Sequence, residues 1–99
     1  MHTAVRRYAN VDDPDEVVRR IKEEGFVDPI RGVRGFVDYI VIDDGGGVLV
    51  TISTSFEDRY GAEESTTVAM EWIQQHGLGS LLPSPPQITE GEAVVLEER

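Results

Sequence analysis

Residues 35–56 read GFVDYIVIDDGGGVLVTISTSF, and this stretch decides the fold of the chain. Two segments rich in Val, Ile, Phe, Tyr and Thr flank the turn-forming run 44–46, which predicts a β-hairpin with strands over 35–43 and 47–56. A phosphate-binding loop would need a helix N-terminus after its glycines, whereas a second strand follows here. The glycines therefore predict a plain hairpin turn.

A strand and a helix are predicted before the hairpin. The short β-permissive segment Thr3–Tyr8 predicts the first strand. The run DPDE at 13–16 combines an N-cap acid, a proline at the first helical position and an acid in the first turn, which predicts a helix start. We expect Gly25 to cap the end of this helix and residues 26–33 to extend it irregularly, with room for a further turn at the internal proline.

A long helix and a last strand are predicted after the hairpin. The helix runs from a capping-box-like start at 55–58 to Gln75, with Gly77 as its C-cap. A proline-punctuated connector over 78–86 follows, and residues 88–97, with the apolar run AVVL at 93–96, predict the last strand.

The resulting order, βαββαβ, predicts one α+β domain over residues 1–99 with a ferredoxin-like fold. A four-stranded antiparallel sheet carries two helices on one face. Alternation in the first hairpin strand divides its apolar residues into two sets, Phe36, Ile40 and Ile42 against Val37, Tyr39 and Val41. Both sheet faces are thus apolar, and an uncovered face with several Val, Tyr and Leu side chains predicts a homodimer in which these faces pack together.

Composition excludes several classes of function. The chain has 9 basic and 19 acidic residues, a formal net charge of −10, and no cysteine, which excludes disulfides, thiolate metal sites and cysteine nucleophiles. Nucleic acid is excluded as a partner because the arginines are interleaved with or followed by carboxylates and form no basic stripe; these are Arg6, Arg7, Arg19, Arg20, Arg31 and Arg34. The acidity fits either a solubilising surface or a salt-rich cytoplasm. No apolar stretch reaches the length of a membrane span and no signal region opens the chain, so we expect a cytoplasmic protein that does not contact membranes.

Several local strings resemble the dimeric α/β-barrel superfamily, in particular its small proteins similar to antibiotic biosynthesis monooxygenases. The strings are GFVDY at 35–39, FEDR at 56–59, GAEES at 61–65, AMEW at 69–72, and Leu82-Pro83 with Pro86 ahead of TEGE at 89–92. The resemblance covers nearly the whole chain. It implies a dimeric barrel with a ligand cavity between sheet and helices, and it leaves the reaction open, because superfamily members include cofactor-free monooxygenases, haem-degrading enzymes and proteins without known activity.

The resemblance directs attention to the predicted buried face of the second helix. Trp72 and His76 lie one turn apart on that face, which also carries Ala62, Ala69 and Ile73. Trp72 could wall an apolar pocket for a small aromatic molecule, while Tyr8, Asn10 and Tyr39 could hydrogen-bond a ligand oxygen. Two interpretations stay open: a ligand-binding protein that oxygenates an aromatic substrate without a cofactor, or a non-catalytic dimeric stress, regulatory or structural domain in which these residues fill a closed core.

Haem and metal sites are disfavoured. Haem-degrading relatives use an Asn, a Trp and an axial His, and Asn10, Trp72 and His76 supply those residue types, but the spacing of the Trp and the His is shorter than in the family and only scattered arginines could hold the propionates. Two histidines and dispersed carboxylates predict no metal site.

Overall fold

The computed structural model describes residues 1–55 and 59–98, and within them a four-stranded sheet packs against helices. The elements in chain order are β1 (His2–Tyr8), α1 (Pro14–Glu23), α2 (Val27–Arg31), β2 (Phe36–Asp43), β3 (Leu49–Ser55), α3 (Arg59–Gln75), a 3-10 turn (Leu78–Ser80) and β4 (Gln87–Glu92). The capping-box-like start predicted for the long helix lies, except for Ser55, outside the described residues.

The sheet order is β2-β3-β1-β4, and every neighbouring pair is antiparallel. The two middle strands, β1 and β3, are joined through α1, α2 and β2 rather than directly, as the βαββαβ order requires. The α+β ferredoxin-like fold predicted from the sequence is therefore confirmed. The five-residue helix α2 occupies the segment for which an irregular extension was expected.

Local sequence signals explain the helix boundaries. The Asp13 carboxylate accepts a hydrogen bond from the backbone N–H of Glu16 at 3.1 Å, which satisfies one of the free donors at the start of α1. Gly25 and Gly77 have φ angles of 78° and 67° and follow the ends of α1 and α3. Glycine adopts this left-handed conformation at no steric cost, so both helices end where the sequence predicts.

The last strand is shorter than predicted. It ends at Glu92, and the apolar run 93–96 lies beyond it without strand structure. Its last paired residue, Glu92, lies opposite His2, the first residue of β1, and the Ala93 N–H donates to the Met1 carbonyl at 2.9 Å beyond that pair. Val94 and Val95 are consequently 86% and 85% exposed.

The division of the sheet into two faces also needs correction. A register shift between Phe36 and Asp38 marks a bulge in β2, so Phe36 packs with Tyr39 against the helices instead of sharing a face with Ile40 and Ile42. The uncovered face is consequently not the Val, Tyr and Leu surface that was expected. Its apolar members are Val5, Ile40, Ile42, Val50 and Ile52.

The core consists of two apolar clusters between the sheet and the helices. One cluster surrounds Phe26 and Trp72, and the other surrounds Tyr8 and Leu49. Ile21 and Ile73 pack against both clusters, so they join the two halves of the core. None of the described helices is long and apolar enough to cross a membrane.

The close approach of α3 to β3 depends on Gly61, which generates the first prediction. A Cβ atom at this position would overlap Ser55 Oγ and would lie 2.9 Å from Ser55 Cβ and 3.0 Å from the Arg34 carbonyl oxygen. We expect Gly61→Ala to lower the free energy of unfolding by about 1 kcal/mol, since the overlap outweighs the gain in helix propensity. Urea unfolding measures this loss. Gly79→Ala is the control, because a Cβ there meets nothing within 4 Å, and equal stability of the two variants would contradict the close approach.

Candidate functional site

A small cavity lies between the helix-facing side of the sheet and helices α1 and α3. Its volume is about 30 Å³, enough for about one or two water molecules. The lining is mainly apolar, with three hydroxyl-bearing side chains from three different strands, Tyr8, Tyr39 and Thr51. The remaining lining residues are Val17, Ile21, Phe26, Leu49, Ala69, Trp72, Ile73 and Leu82. The surface of the cavity is almost wholly apolar, and a largely apolar chamber with a few polar groups is the usual form of a small-molecule site.

Three aromatic rings close one side of this inner cavity. The ring of Phe26 lies 5.0 Å from those of both Tyr39 and Trp72, with edge-to-face angles of 61° and 63°. Such contacts are favourable beyond the area they bury. The rings therefore pack well in the closed arrangement, and a ligand with an aromatic ring needs them to move apart.

An outer groove runs along the same region between α1, α2 and β2. Its volume is about 450 Å³, and Ile21 and Tyr39 line both the groove and the inner cavity. These two side chains thus separate a space large enough for a small aromatic molecule from the buried hydroxyl groups. Lys22, the only lysine of the chain, lies at the groove together with Asp15 and Asp43.

The two cavity tyrosines are strongly affected by burial. Burial raises the pKa of Tyr39 above its ordinary value, and the positive charge of Arg6 and a hydrogen bond from the Thr51 hydroxyl offset only part of the rise. Burial likewise raises the pKa of Tyr8, again with Arg6 acting in the opposite direction. Both phenols are therefore neutral at physiological pH and can donate a hydrogen bond to a ligand oxygen.

Arg6 is a functional candidate that the sequence interpretation missed. Its side chain is fully buried on the helix-facing side of β1, whereas the sequence analysis considered it only as one of the arginines that form no basic stripe. Its Nε donates to Thr51 Oγ1 at 2.9 Å, and its other nitrogens donate to the remaining hydroxyls of a cluster formed by Thr51, Ser53, Ser65 and Thr66. The alternation of Ala4, Arg6 and Tyr8 along one strand face is the signal that could have revealed it.

The structure brings three of the five candidate site residues together. Tyr8, Tyr39 and Trp72 all line the inner cavity. Asn10 lies away from it, in an exposed loop where its φ angle is 59° and its Nδ2 donates to Ser84 Oγ at 2.8 Å. His76 does not line the cavity either.

His76 instead joins the C-terminal ends of α1 and α3. Its ring stacks on Trp72 with centroids 4.5 Å apart, and its Nδ1 lies 3.4 Å from a carboxylate oxygen of Glu24. Arg20 holds the same carboxylate at 2.8 Å and donates to the His76 carbonyl. The hydrogen bond from Arg20 lowers the pKa of Glu24. His76 therefore contacts groups at the ends of both helices and not the cavity.

The described residues do not fit haem or a metal ion. Asn10 and His76 do not converge with Trp72 on one chamber, and the cavity beside Trp72 is far too small for a macrocycle. Among residues 1–55 and 59–98, no group of three or more His, Cys, Asp or Glu side chains could hold a metal ion.

Comparison with known proteins identifies the fold. No known protein-family model matches this chain, and no curated protein matches it. The chain is similar to the solved structure of Rv0793 from Mycobacterium tuberculosis, with 20% identity and a TM-score of 0.66 over 98% of this chain and 96% of that one.

Two further structures are similar over comparable lengths. One is a monooxygenase from the gene ActVA-Orf6 of Streptomyces coelicolor in complex with Nanaomycin D, with 17% identity and a TM-score of 0.67 over 98% of this chain and 92% of that one. The other is a dimeric ferredoxin-like protein from an uncultured marine organism, with 8% identity and a TM-score of 0.65 over 99% and 97%. The resemblance in fold to the monooxygenase-like proteins is thus confirmed, and identities this low show the fold alone.

The raised pKa values generate a prediction about alkaline unfolding. The unfolded chain ionises its tyrosines near pH 10, while folded Tyr8 and Tyr39 still hold their protons, so stability is complete below that pH and falls as the pH rises through the folded values. We expect Tyr39→Phe to reduce the fall by up to about 1.4 kcal/mol per pH unit. Urea unfolding from pH 8 to pH 12 measures it. The exposed Tyr60, changed to Phe, is the control, and an unchanged slope in Tyr39→Phe would contradict the burial of that phenol.

Proposed function

We propose that this protein binds a small, largely apolar or aromatic molecule that enters by the outer groove and reaches the inner cavity. The observation that carries the proposal is the shared boundary of the two spaces, since Ile21 and Tyr39 line both. The groove supplies volume and apolar contact, and the hydroxyls of Tyr8, Tyr39 and Thr51 supply orientation. Trp72 forms part of the wall.

Oxygenation of an aromatic substrate without a cofactor is the reaction that we propose for this site. Its support is likeness in fold to the Streptomyces coelicolor monooxygenase and to a second solved structure described as an antibiotic biosynthesis monooxygenase, with 14% identity and a TM-score of 0.67. An oxygenating site needs a dry chamber and donors that stabilise an anion, and the apolar walls and buried phenols here meet both needs.

A non-catalytic dimeric domain is the alternative, and the size of the cavity favours it. A chamber of about 30 Å³ closed by three packed rings is what a filled core would contain. The two functions differ in whether Ile21 and Tyr39 move apart to admit a ligand, so a binding measurement separates them.

We also propose that two chains associate through the uncovered sheet face. This face exposes Ile40 and Ile42, and Val94, Val95 and Leu96 add a second exposed apolar surface. Burying such a patch stabilises an association. The dimeric ferredoxin-like protein with 8% identity gives this proposal a precedent in fold. Two chains carry 2 × (−10) = −20 charges, so the association opposes charge repulsion and should strengthen with salt.

Binding can be tested with 2-naphthol as the probe. Trp72 is the only tryptophan and lies in the cavity wall, so we expect saturable quenching of its fluorescence when the probe enters. Val41→Phe fills part of the groove and should weaken binding at least about tenfold by removing apolar contact area. Met70→Phe, on the outer side of α3, is the control and should leave binding unchanged.

Two results would separate the alternatives. Absence of saturable quenching would overturn the binding proposal and favour the closed, non-catalytic domain. Quenching without oxygen uptake above the protein-free rate, measured with a dihydroxynaphthalene in an oxygen electrode, would retain binding and overturn oxygenation.

The dimer can be tested with a matched pair of lysine substitutions. Ile42 is 45% exposed on the uncovered face and Ile88 is 43% exposed on β4, on the other side of the sheet. We expect Ile42→Lys to weaken association at least about tenfold, because a symmetric contact would bury the new charge twice. Ile88→Lys should leave association unchanged. Sedimentation equilibrium measures both, and a wild-type chain that sediments only at 11.0 kDa at micromolar concentration in molar salt would overturn the dimer.

A further inference from the structure

Arg6 carries a positive charge in the interior of the fold, on the helix-facing side of the central strand β1. Arginine stays protonated even when burial lowers its pKa, as burial does here. An isolated buried charge is costly unless hydrogen bonds and an opposite charge compensate for it. The surroundings of Arg6 supply the hydrogen bonds.

Hydroxyl groups alone contact the Arg6 guanidinium among residues 1–55 and 59–98. Strand β3 presents Thr51 and Ser53, and helix α3 presents Ser65 and Thr66. No carboxylate of the described residues forms an ion pair with Arg6. Glu90 on β4 makes no direct contact with Arg6, but it accepts a hydrogen bond from the Thr66 hydroxyl at 2.9 Å, and its negative charge raises the pKa of Arg6. The other titratable groups that act on Arg6 are the neutral phenols of Tyr8 on β1 and Tyr39 on β2.

The Arg6 guanidinium is one hydrogen bond away from a residue that lines the inner cavity. Thr51 accepts the hydrogen bond of Arg6 Nε and also lines the cavity beside Tyr8 and Tyr39. One hydroxyl group therefore separates the guanidinium from a space that is otherwise lined by apolar side chains. Little water is available there to screen the charge, so its effect on a group in the cavity is strong.

We infer that Arg6 is a positioning residue that makes this site select the ionised form of an acidic ligand, an apolar molecule with one phenolic or enolic oxygen. The inference rests on the proposed function and adds the chemical class of the ligand. The apolar body lies in the groove, and its anionic oxygen accepts hydrogen bonds from the phenol groups of Tyr8 and Tyr39. The ligand oxygen then supplies a negative charge near the guanidinium in addition to that of Glu90, with Arg6 acting through Thr51 rather than by contact.

The test uses 4-nitrophenol, whose anion is yellow and whose neutral form is not, so absorbance reports the ionisation of the bound probe directly. We expect the pKa of 4-nitrophenol to be about one unit lower when it is bound to the wild-type protein than when it is free, as is typical beside an opposite charge. Arg6→Gln should abolish this shift, while Arg6→Lys, which keeps the charge and loses the fork-shaped hydrogen bonding, should retain most of it.

Arg7→Gln is the matched control. Arg7 is exposed and faces the other side of the same strand, so this variant changes the net charge equally and should leave the shift intact. If Arg6→Gln does not fold, Thr51→Val keeps the buried charge and removes the connecting hydroxyl, and it should weaken binding of the nitrophenolate about threefold relative to the neutral form.

The possible results of the nitrophenol experiment have different consequences. If wild-type protein binds no nitrophenol, both the proposed function and the inference fail. If it binds the probe without lowering the pKa, or if Arg7→Gln abolishes the shift as Arg6→Gln does, the inference fails and the binding proposal stands. If Arg6→Gln cannot be folded, an unchanged preference for the anion in Thr51→Val overturns the role of Arg6.

Discussion

The hydrogen bonding of one buried guanidinium constrains much of this structure. Arg6 is fully buried on the central strand, so the elements that pack against its guanidinium must present hydrogen-bond acceptors. Strand β3 and helix α3 meet this demand with Thr51, Ser53, Ser65 and Thr66. A side chain that could not accept a hydrogen bond would leave a buried charged donor unsatisfied, which costs more than a lost surface contact.

The same constraint divides the interior into two unlike halves. Around Arg6 the side chains are small and polar, and Gly61 lets α3 lie close to β3. Around Trp72 the residues are large and apolar, and they fill the wider space between sheet and helices. The inner cavity lies between the two halves, where Thr51 belongs to both. Thr51 therefore connects the polar half of the interior to the wall of the apolar cavity.

Features set by neighbouring residues were predictable from the sequence, and features set by distant partners were not. The hairpin and the ends of α1 and α3 depend on local turn and capping chemistry, and the structure has them where that chemistry predicts.

The end of β4 at Glu92 depends on its pairing with His2, a residue that is distant in the sequence. The face of Phe36 depends on a bulge, which alternation cannot reveal. The burial of Arg6 was not predicted, because composition carries no information about which strand face a residue occupies. Within the candidate site, Trp72 follows from helical periodicity, and Tyr8 and Tyr39 were chosen for their hydroxyl groups rather than for predicted burial. The positions of Asn10 and His76 depend on the contacts of Ser84 and Glu24.

The closed aromatic packing and the unpaired buried charge oppose each other in ligand binding. Opening the cavity separates the rings of Phe26, Tyr39 and Trp72, and the apparent affinity of any ligand falls in proportion to the fraction of molecules that are open. A neutral aromatic molecule replaces those ring contacts with similar ones and gains little. An anionic oxygen also neutralises a charge that the described residues leave without an ion-pair partner, and this gain is available only to an acid. For the proposed site we therefore expect an acidic ligand to bind better than a neutral one of the same shape.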